Sequence, residues 1–290
     1  MKSEPPILQF ENVRYIYPGH TEPALDNLSL ALPAGKRIVV LGHNGAGKSS
    51  LFLHCNGILA PQSGTVRFQG RPLKYARSDL RELRKHVGIV FQSADEQLFS
   101  ASVQQDISFG PLNLGLSESA ARQRVQEAAE QCEISHLLDR PTHALSGGEK
   151  ARAALAGVLA MDPEVLLVDE PTASLDPLMR RKLFAIFEKL TARGKTIVLA
   201  THELELAHYW ADYIVIMHRG RVLGEGASET ILSDQNMLSL ISLDRPWYSD
   251  MRKVRNRADF VQEAAPVQGH CPHHSQKEEP YVSYHIPAGT

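Results

Sequence analysis

The segment Gly42-His43-Asn44-Gly45-Ala46-Gly47-Lys48-Ser49 places three glycines, a lysine and a hydroxyl within eight residues. Its spacing is G-x-x-x-x-G-K-[ST], behind an apolar run (Arg37–Leu41) and ahead of a helix beginning near Lys48. Glycines there let backbone N–H groups curl around phosphate oxygens without Cβ atoms in the way. The helix N-terminus adds partial positive charge. Lys48 is placed to reach the β- and γ-phosphates, and the Ser49 hydroxyl to ligate Mg²⁺. His43, Asn44, Ala46 and Ser50 complete the nucleotide-binding set. The chemistry implied is the binding of a nucleoside triphosphate with its Mg²⁺.

Hydrolysis needs an acidic partner at the end of a buried strand. Val165-Leu166-Leu167-Val168-Asp169-Glu170 supplies one. Asp169 would hold Mg²⁺, directly or through water, and Glu170 would polarise or orient the attacking water. Alone, an acidic cap before Pro171 would also mark an ordinary turn; beside a phosphate loop it reads as the second half of the site. A further segment, Leu145-Ser146-Gly147-Gly148-Glu149-Lys150, precedes the helix-forming run ARAALAGVLA. Ser146 and the amides of Gly147 and Gly148 at a helix start make another anion site.

These residues need a scaffold. The chain has 290 residues, enough for one large domain or two modest ones and for a core that needs no disulfides. Thirty-one Lys and Arg against 33 Asp and Glu give a formal charge of -2, which argues against a nucleic-acid-coating role. No apolar run reaches the ~18–20 residues of a membrane span. The opening MKSEPPILQF does not read as a secretory signal, and the odd number and wide spacing of the three cysteines do not suggest a disulfide framework. These features point to the cytoplasm and leave room for a peripheral membrane partner. Strands are expected at Arg37–Leu41, Val87–Phe91, Val165–Asp169, Thr196–Ala200 and Tyr213–Met217, several apolar at every position, as strands covered on both faces are. Helical stretches between them imply an α/β fold with a mostly parallel sheet.

Two regions break this rhythm. Residues from about 92 to 145 carry no strand pattern, and Ser117 reads as an N-cap before AARQRVQEAAEQ, so a mainly helical insert is expected. After about residue 243 apolar periodicity is lost. This extension, residues 244–290, holds the basic cluster Arg252, Lys253, Arg255 and Arg257, which reads as a solvated surface ahead of one that faces anionic lipid. It also holds His270, Cys271, His273 and His274, donors that suit Ni²⁺, Co²⁺ or Zn²⁺ and not Mg²⁺.

LSGG followed by an apolar strand ending in Asp-Glu resembles the ATP-binding cassette (ABC) ATPases. That resemblance implies the P-loop ABC ATPase fold over residues 1–243, with a helical subdomain at about 92–145 and an antiparallel β portion. It further implies a dimer, by default of identical subunits, in which Ser146, Gly147, Gly148 and Glu149 cap the γ-phosphate held by the other subunit. Glu149 stands where the commonest family version has Gln. By the same resemblance Gln92 is the Q-loop glutamine near Mg²⁺ and the water, Ser174 and Asp176 belong to the D-loop, His202 is the switch histidine, and Tyr17, ahead of Tyr15, stacks on adenine.

Within that family, Phe91-Gln92 through Leu98-Phe99, Asp106 through Gly115 and Ala156 through Pro163 are similar to the ATPase subunits of energy-coupling factor importers. Ala94 replaces the usual proline. The similarity implies transmembrane energy-coupling and substrate-binding partners, docking at the segment after Gln92 with Leu98 and Phe99 in a groove. The chain would then lie on the cytoplasmic face of the membrane, powering nickel or cobalt uptake, to which the His/Cys tail tilts the choice. Vitamin uptake, a soluble non-transport ABC ATPase, or a metal-storage or chaperone protein are the alternatives.

Overall fold

The computed structural model describes residues 5–172 and 175–234. The chain opens with β1 (Leu8–Tyr15), β2 (Leu25–Leu32) and β3 (Arg37–Leu41), then α1 (Lys48–Cys55). Next come β4 (Ser63–Phe68), the short β5 (Arg71–Pro72), α2 (Arg77–His86) and β6 (Val87–Val90). A helical stretch follows, with α3 (Val103–Leu114), α4 (Glu118–Gln131) and α5 (Gly147–Leu159). The chain then returns through β7 (Val165–Asp169), α6 (Pro177–Ala192), β8 (Thr196–Thr201), α7 (Leu204–Trp210), β9 (Tyr213–His218), β10 (Arg221–Ala227) and α8 (Ser228–Ser233).

Two sheets result. The larger has the order β10-β9-β3-β8-β7-β6, parallel throughout except for β10, which runs antiparallel to β9. The smaller, β2-β1-β4-β5, is antiparallel. Side chains alternate across a strand, so an all-apolar strand must feed two cores. It does: Val39, Leu41, Leu166, Val168, Ile197, Leu199, Ile214 and Ile216 join one cluster with the helices α3–α7. Ile38, Val40, Val165, Leu167, Val198, Ala200, Val215 and Met217 join the other, with α1 and the antiparallel sheet. The expected strands are all present; Thr196–Thr201 and Tyr213–His218 each run one residue further than expected, and Val87–Val90 stops one residue short of Phe91.

Residues 92–145 contain no strand, as expected. Ser117 caps α4 by accepting from the Ala120 N–H, and Ser102 caps α3 by accepting from the Gln105 N–H. The helical layer continues into α5, which packs against both α3 and α4. Gly88 lets β6 lie tight on α5; a Cβ there would fall well inside contact distance of Val158 Cγ1. At the opposite end of β3, Arg37 is nearly buried and donates to both carboxylate oxygens of Asp212 at 2.9 and 2.7 Å and to Glu188 at 2.6 Å. The candidate tail ligands His270, Cys271, His273 and His274, and Ser174, lie outside the described residues. No described helix is long and apolar enough to cross a membrane.

Candidate nucleotide site

The glycine-rich loop joins the C-terminal end of β3 to the N-terminus of α1, on the edge where the parallel strands end. Gly47 is the helix N-cap with φ of 102°, and a Cβ on it would meet the Ala24 carbonyl oxygen at 2.5 Å. Gly42 is equally constrained, because a Cβ there would lie 2.5 Å from the Met217 carbonyl oxygen. A backbone this closely seated, with exposed His43, Asn44, Gly45 and Ser49 on its outer side, leaves N–H groups facing outward at a helix start. The donor set therefore fits a polyphosphate.

Lys48 is 6% exposed, and its ammonium donates to the carbonyls of Gly42 at 2.7 Å and His43 at 3.2 Å. The same ammonium lies 3.4 Å from Glu170 Oε1. Asp169 ends β7 and accepts a hydrogen bond from Ser49. Burial pushes its carboxyl above the usual range, and the Ser49 hydrogen bond partly opposes that. A hydroxyl and a carboxylate, both oxygen donors and adjacent, suit Mg²⁺.

Glu170 is 7% exposed and sits at φ of 46°, a backbone conformation that costs a non-glycine residue on the order of 1–3 kcal/mol. The surroundings hold it there. The Glu170 N–H donates to the Ala200 carbonyl at 2.9 Å, the Thr201 hydroxyl donates to Oε2 at 3.4 Å, and His202 Nδ1 lies 3.1 Å from each carboxylate oxygen. The strain thus turns the carboxylate back over the strand ends toward Lys48. Gln92 follows β6 and shares a cleft with Glu170, Phe91 and Leu175.

Tyr17 stands in the loop after β1, half-buried, with its hydroxyl 3.1 Å from Ser50 Oγ. Ser50 is thus turned to Tyr17, and its hydroxyl serves as a prop for that ring. Tyr15 packs on the inner core and on His54, with ring centroids 4.9 Å apart, which leaves Tyr17 as the outward aromatic of the two.

Ser146 caps α5 in a capping box: its hydroxyl accepts from the Glu149 N–H, and Glu149 Oε2 accepts from the Ser146 N–H at 2.7 Å. The Ser146 backbone bond holds the Glu149 carboxyl below its usual range, and Arg140 stands 3.6 Å away. Gly148 faces Leu175 and Met179, so this segment neighbours Asp176, which caps α6 by accepting from the Met179 N–H at 2.9 Å. The structure thus gathers the loop, Asp169, Glu170, His202 and Tyr17 at one site, while Gly148 of the Ser146–Glu149 segment faces the start of α6.

A second feature lies between α2, α3 and α5, a groove whose walls include Arg81, Phe91, Phe99, Phe109, Leu112 and Met161. Phe99 and Phe109 are 65% and 50% exposed and stack edge to face at 4.8 Å. Leu98, expected beside Phe99 in this groove, is not among its walls. The 3₁₀ turn Ala94–Glu96 sends Leu98 inward against the core and Phe99 outward. Phe109 and Leu112, missed in sequence, take Leu98's place, because the exposed face of α3 cannot be distinguished from its buried face until the helix is docked. Thr201 was also missed; it reads as an ordinary strand residue.

The fold and the loop define a P-loop nucleotide-binding domain. Residues 25–173 match the ABC transporter family. The chain is 51% identical over 253 residues to a Rhodobacter capsulatus protein named cobalt import ATP-binding protein CbiO, covering 87% of this chain and 90% of that one. It is 40% identical over 255 residues to the energy-coupling factor transporter ATP-binding protein EcfA of Methanocaldococcus jannaschii, covering 88% and 91%. Among solved structures it is similar to cbiO1 of Clostridium perfringens, part of the cbiONQ ABC transporter complex, at 40% identity and a TM-score of 0.72, over 87% and 100% of the two chains. The chain belongs to the ABC transporter family.

Proposed function

We propose that the chain is the ATP-hydrolysing subunit of an energy-coupling factor importer whose substrate is cobalt or nickel. The observation that carries this reading is the 51% identity, across 87% of this chain and 90% of the relative, to a protein named for cobalt import. The site supports hydrolysis. The loop amides and Lys48 would hold the phosphates of ATP, with Tyr17 against the adenine. Ser49 and Asp169 would hold Mg²⁺, with Gln92 beside it; the ion, when bound, neutralises phosphate oxygens. Glu170, steadied by Thr201 and His202, would orient the attacking water and take its proton.

The Ser146–Glu149 segment and the D-loop around Asp176 would complete the site of a second copy, since closed two-fold dimers are the commonest assembly. The groove of Phe99, Phe109 and Leu112 lies next to Gln92, and a helix of a transmembrane partner would seat there. Such docking would hold the chain at the cytoplasmic face of the membrane and tie partner movement to the site. The test is nickel and cobalt accumulation in cells carrying wild type or Glu170→Gln under limiting metal. A selective fall in one metal supports the reading. Unchanged uptake of both metals, with vitamin uptake reduced in the same strains, overturns the metal assignment.

A further inference from the structure

We infer that Glu203, held by Arg180 and Thr172, is a positioning residue for ATP hydrolysis: the three close a clamp over the ends of β7 and β8 that fixes Glu170 against His202. The inference rests on the reading of Glu170 and His202 given above.

Glu203 follows His202, and both of its carboxylate oxygens are engaged. Oε1 accepts from the Thr172 hydroxyl at 2.7 Å and from Arg180 Nη2 at 3.2 Å, and Oε2 accepts from Arg180 Nη1 at 3.1 Å. Arg180 Nη2 also donates to the Thr172 carbonyl at 3.1 Å. Thr172, two residues beyond Glu170, is 1% exposed. The fork of Arg180 therefore binds the segment after β7 and the segment after β8 at once, and it does so from α6, the helix capped by Asp176.

The clamp reaches the reacting group through one further atom. The Glu203 N–H donates to Thr201 Oγ1 at 3.1 Å, and that hydroxyl donates to Glu170 Oε2 at 3.4 Å. Accepting from Glu203 leaves the Thr201 proton directed at Glu170. Glu170 meanwhile holds its left-handed backbone conformation, φ of 46°, between a strand and this clamped turn. A residue in such a conformation relaxes when its flanks are released.

Arg180 and Glu203 are 39% and 26% exposed, and part-exposed ion pairs add little to stability. A planar, bidentate Arg–carboxylate pair does impose direction. The clamp thus bears on the geometry of hydrolysis far more than on the fold, and a displacement of about 1 Å at a reacting group costs about 100-fold in rate.

The test is steady-state Mg²⁺-dependent ATP hydrolysis by the full chain, with thermal melting of each variant. Glu203→Ala is expected to lower kcat by about 10-fold to 100-fold, with KM for ATP within about twofold of wild type. Thr172→Val, nearly isosteric, is expected to lower kcat in the same way, and Thr172→Ser, which keeps the hydroxyl, to restore it. Melting temperatures should stay within about 4 °C of wild type. A Glu203→Ala enzyme with wild-type kcat overturns the inference, as does one whose KM rises while kcat holds. Thr172→Ser as impaired as Thr172→Val overturns it too. Glu170→Gln runs in parallel. Loss of turnover there with full turnover in Glu203→Ala defeats the clamp alone, whereas full turnover in Glu170→Gln defeats the assignment of Glu170 and the clamp with it.

Discussion

Glu170→Gln separates binding from chemistry. The amide keeps the shape of the carboxylate and can still meet Thr201 and His202, so the 7% exposed site should close around it without a cavity. What is lost is charge and basicity. A positioned general base contributes about 10²–10⁴-fold, which at about 1.36 kcal/mol per tenfold is about 2.7–5.4 kcal/mol of barrier. Binding should move the other way. Glu170 Oε1 sits 3.4 Å from the Lys48 ammonium, the group placed to meet the phosphates. At an effective dielectric of about 20, the attraction at that distance is about 5 kcal/mol before desolvation is counted. Gln removes that competition, so ATP affinity should hold or rise. The assay pairs single-turnover hydrolysis with equilibrium binding of ATP to the full chain. Turnover within tenfold of wild type, with ATP bound, would refute the role of Glu170; tight turnover-dead binding is the expected result.

Lys48→Ala removes charge-assisted contacts worth about 1.5–3 kcal/mol, so ATP affinity should fall by about 10-fold to 150-fold in a direct binding titration. Unchanged affinity would displace Lys48 from the phosphates. Burial raises the Asp169 pKa above its ordinary 3.8, so the folded chain holds that proton more tightly than the unfolded one, and stability from this group declines as pH rises through the folded value. Asp169→Asn should therefore melt higher than wild type at pH 7 without Mg²⁺, with the gap closing on acidification; a lower melting temperature at pH 7 would mean that the buried carboxylate stabilises the fold. Gly88→Ala drives a methyl into Val158 and should cost about 1–3 kcal/mol in urea unfolding. An unchanged midpoint would mean that β6 and α5 separate more easily than their packing implies.

The local parts were legible because short-range chemistry dictates them. Gly42 through Ser49 reads as a phosphate loop because the residue types and spacing serve only close backbone approach and charge. The apolar runs Ile38–Leu41, Val165–Val168 and Ile197–Ala200 read as doubly covered strands. Ser117 and Ser146 read as helix starts because a hydroxyl before a helix-forming run satisfies orphan N–H groups. Asp169 and Glu170 were recognisable as a pair by their place at a strand end.

What the sequence by itself determined, then, is the nucleotide chemistry, the α/β class and the family. Tertiary structure decided the rest, because it depends on which distant groups meet. Only the pairing of β7 with β8 brings Glu170 to His202 and Thr201, residues more than thirty positions apart in the chain. Only the docking of α3 on α5 turns Phe109 outward to join Phe99 while Leu98 turns in. Arg180, Thr172 and Glu203 carry no local signal at all. Their types are common at any surface, and it is the crossing of three chain segments at one point that makes them a clamp.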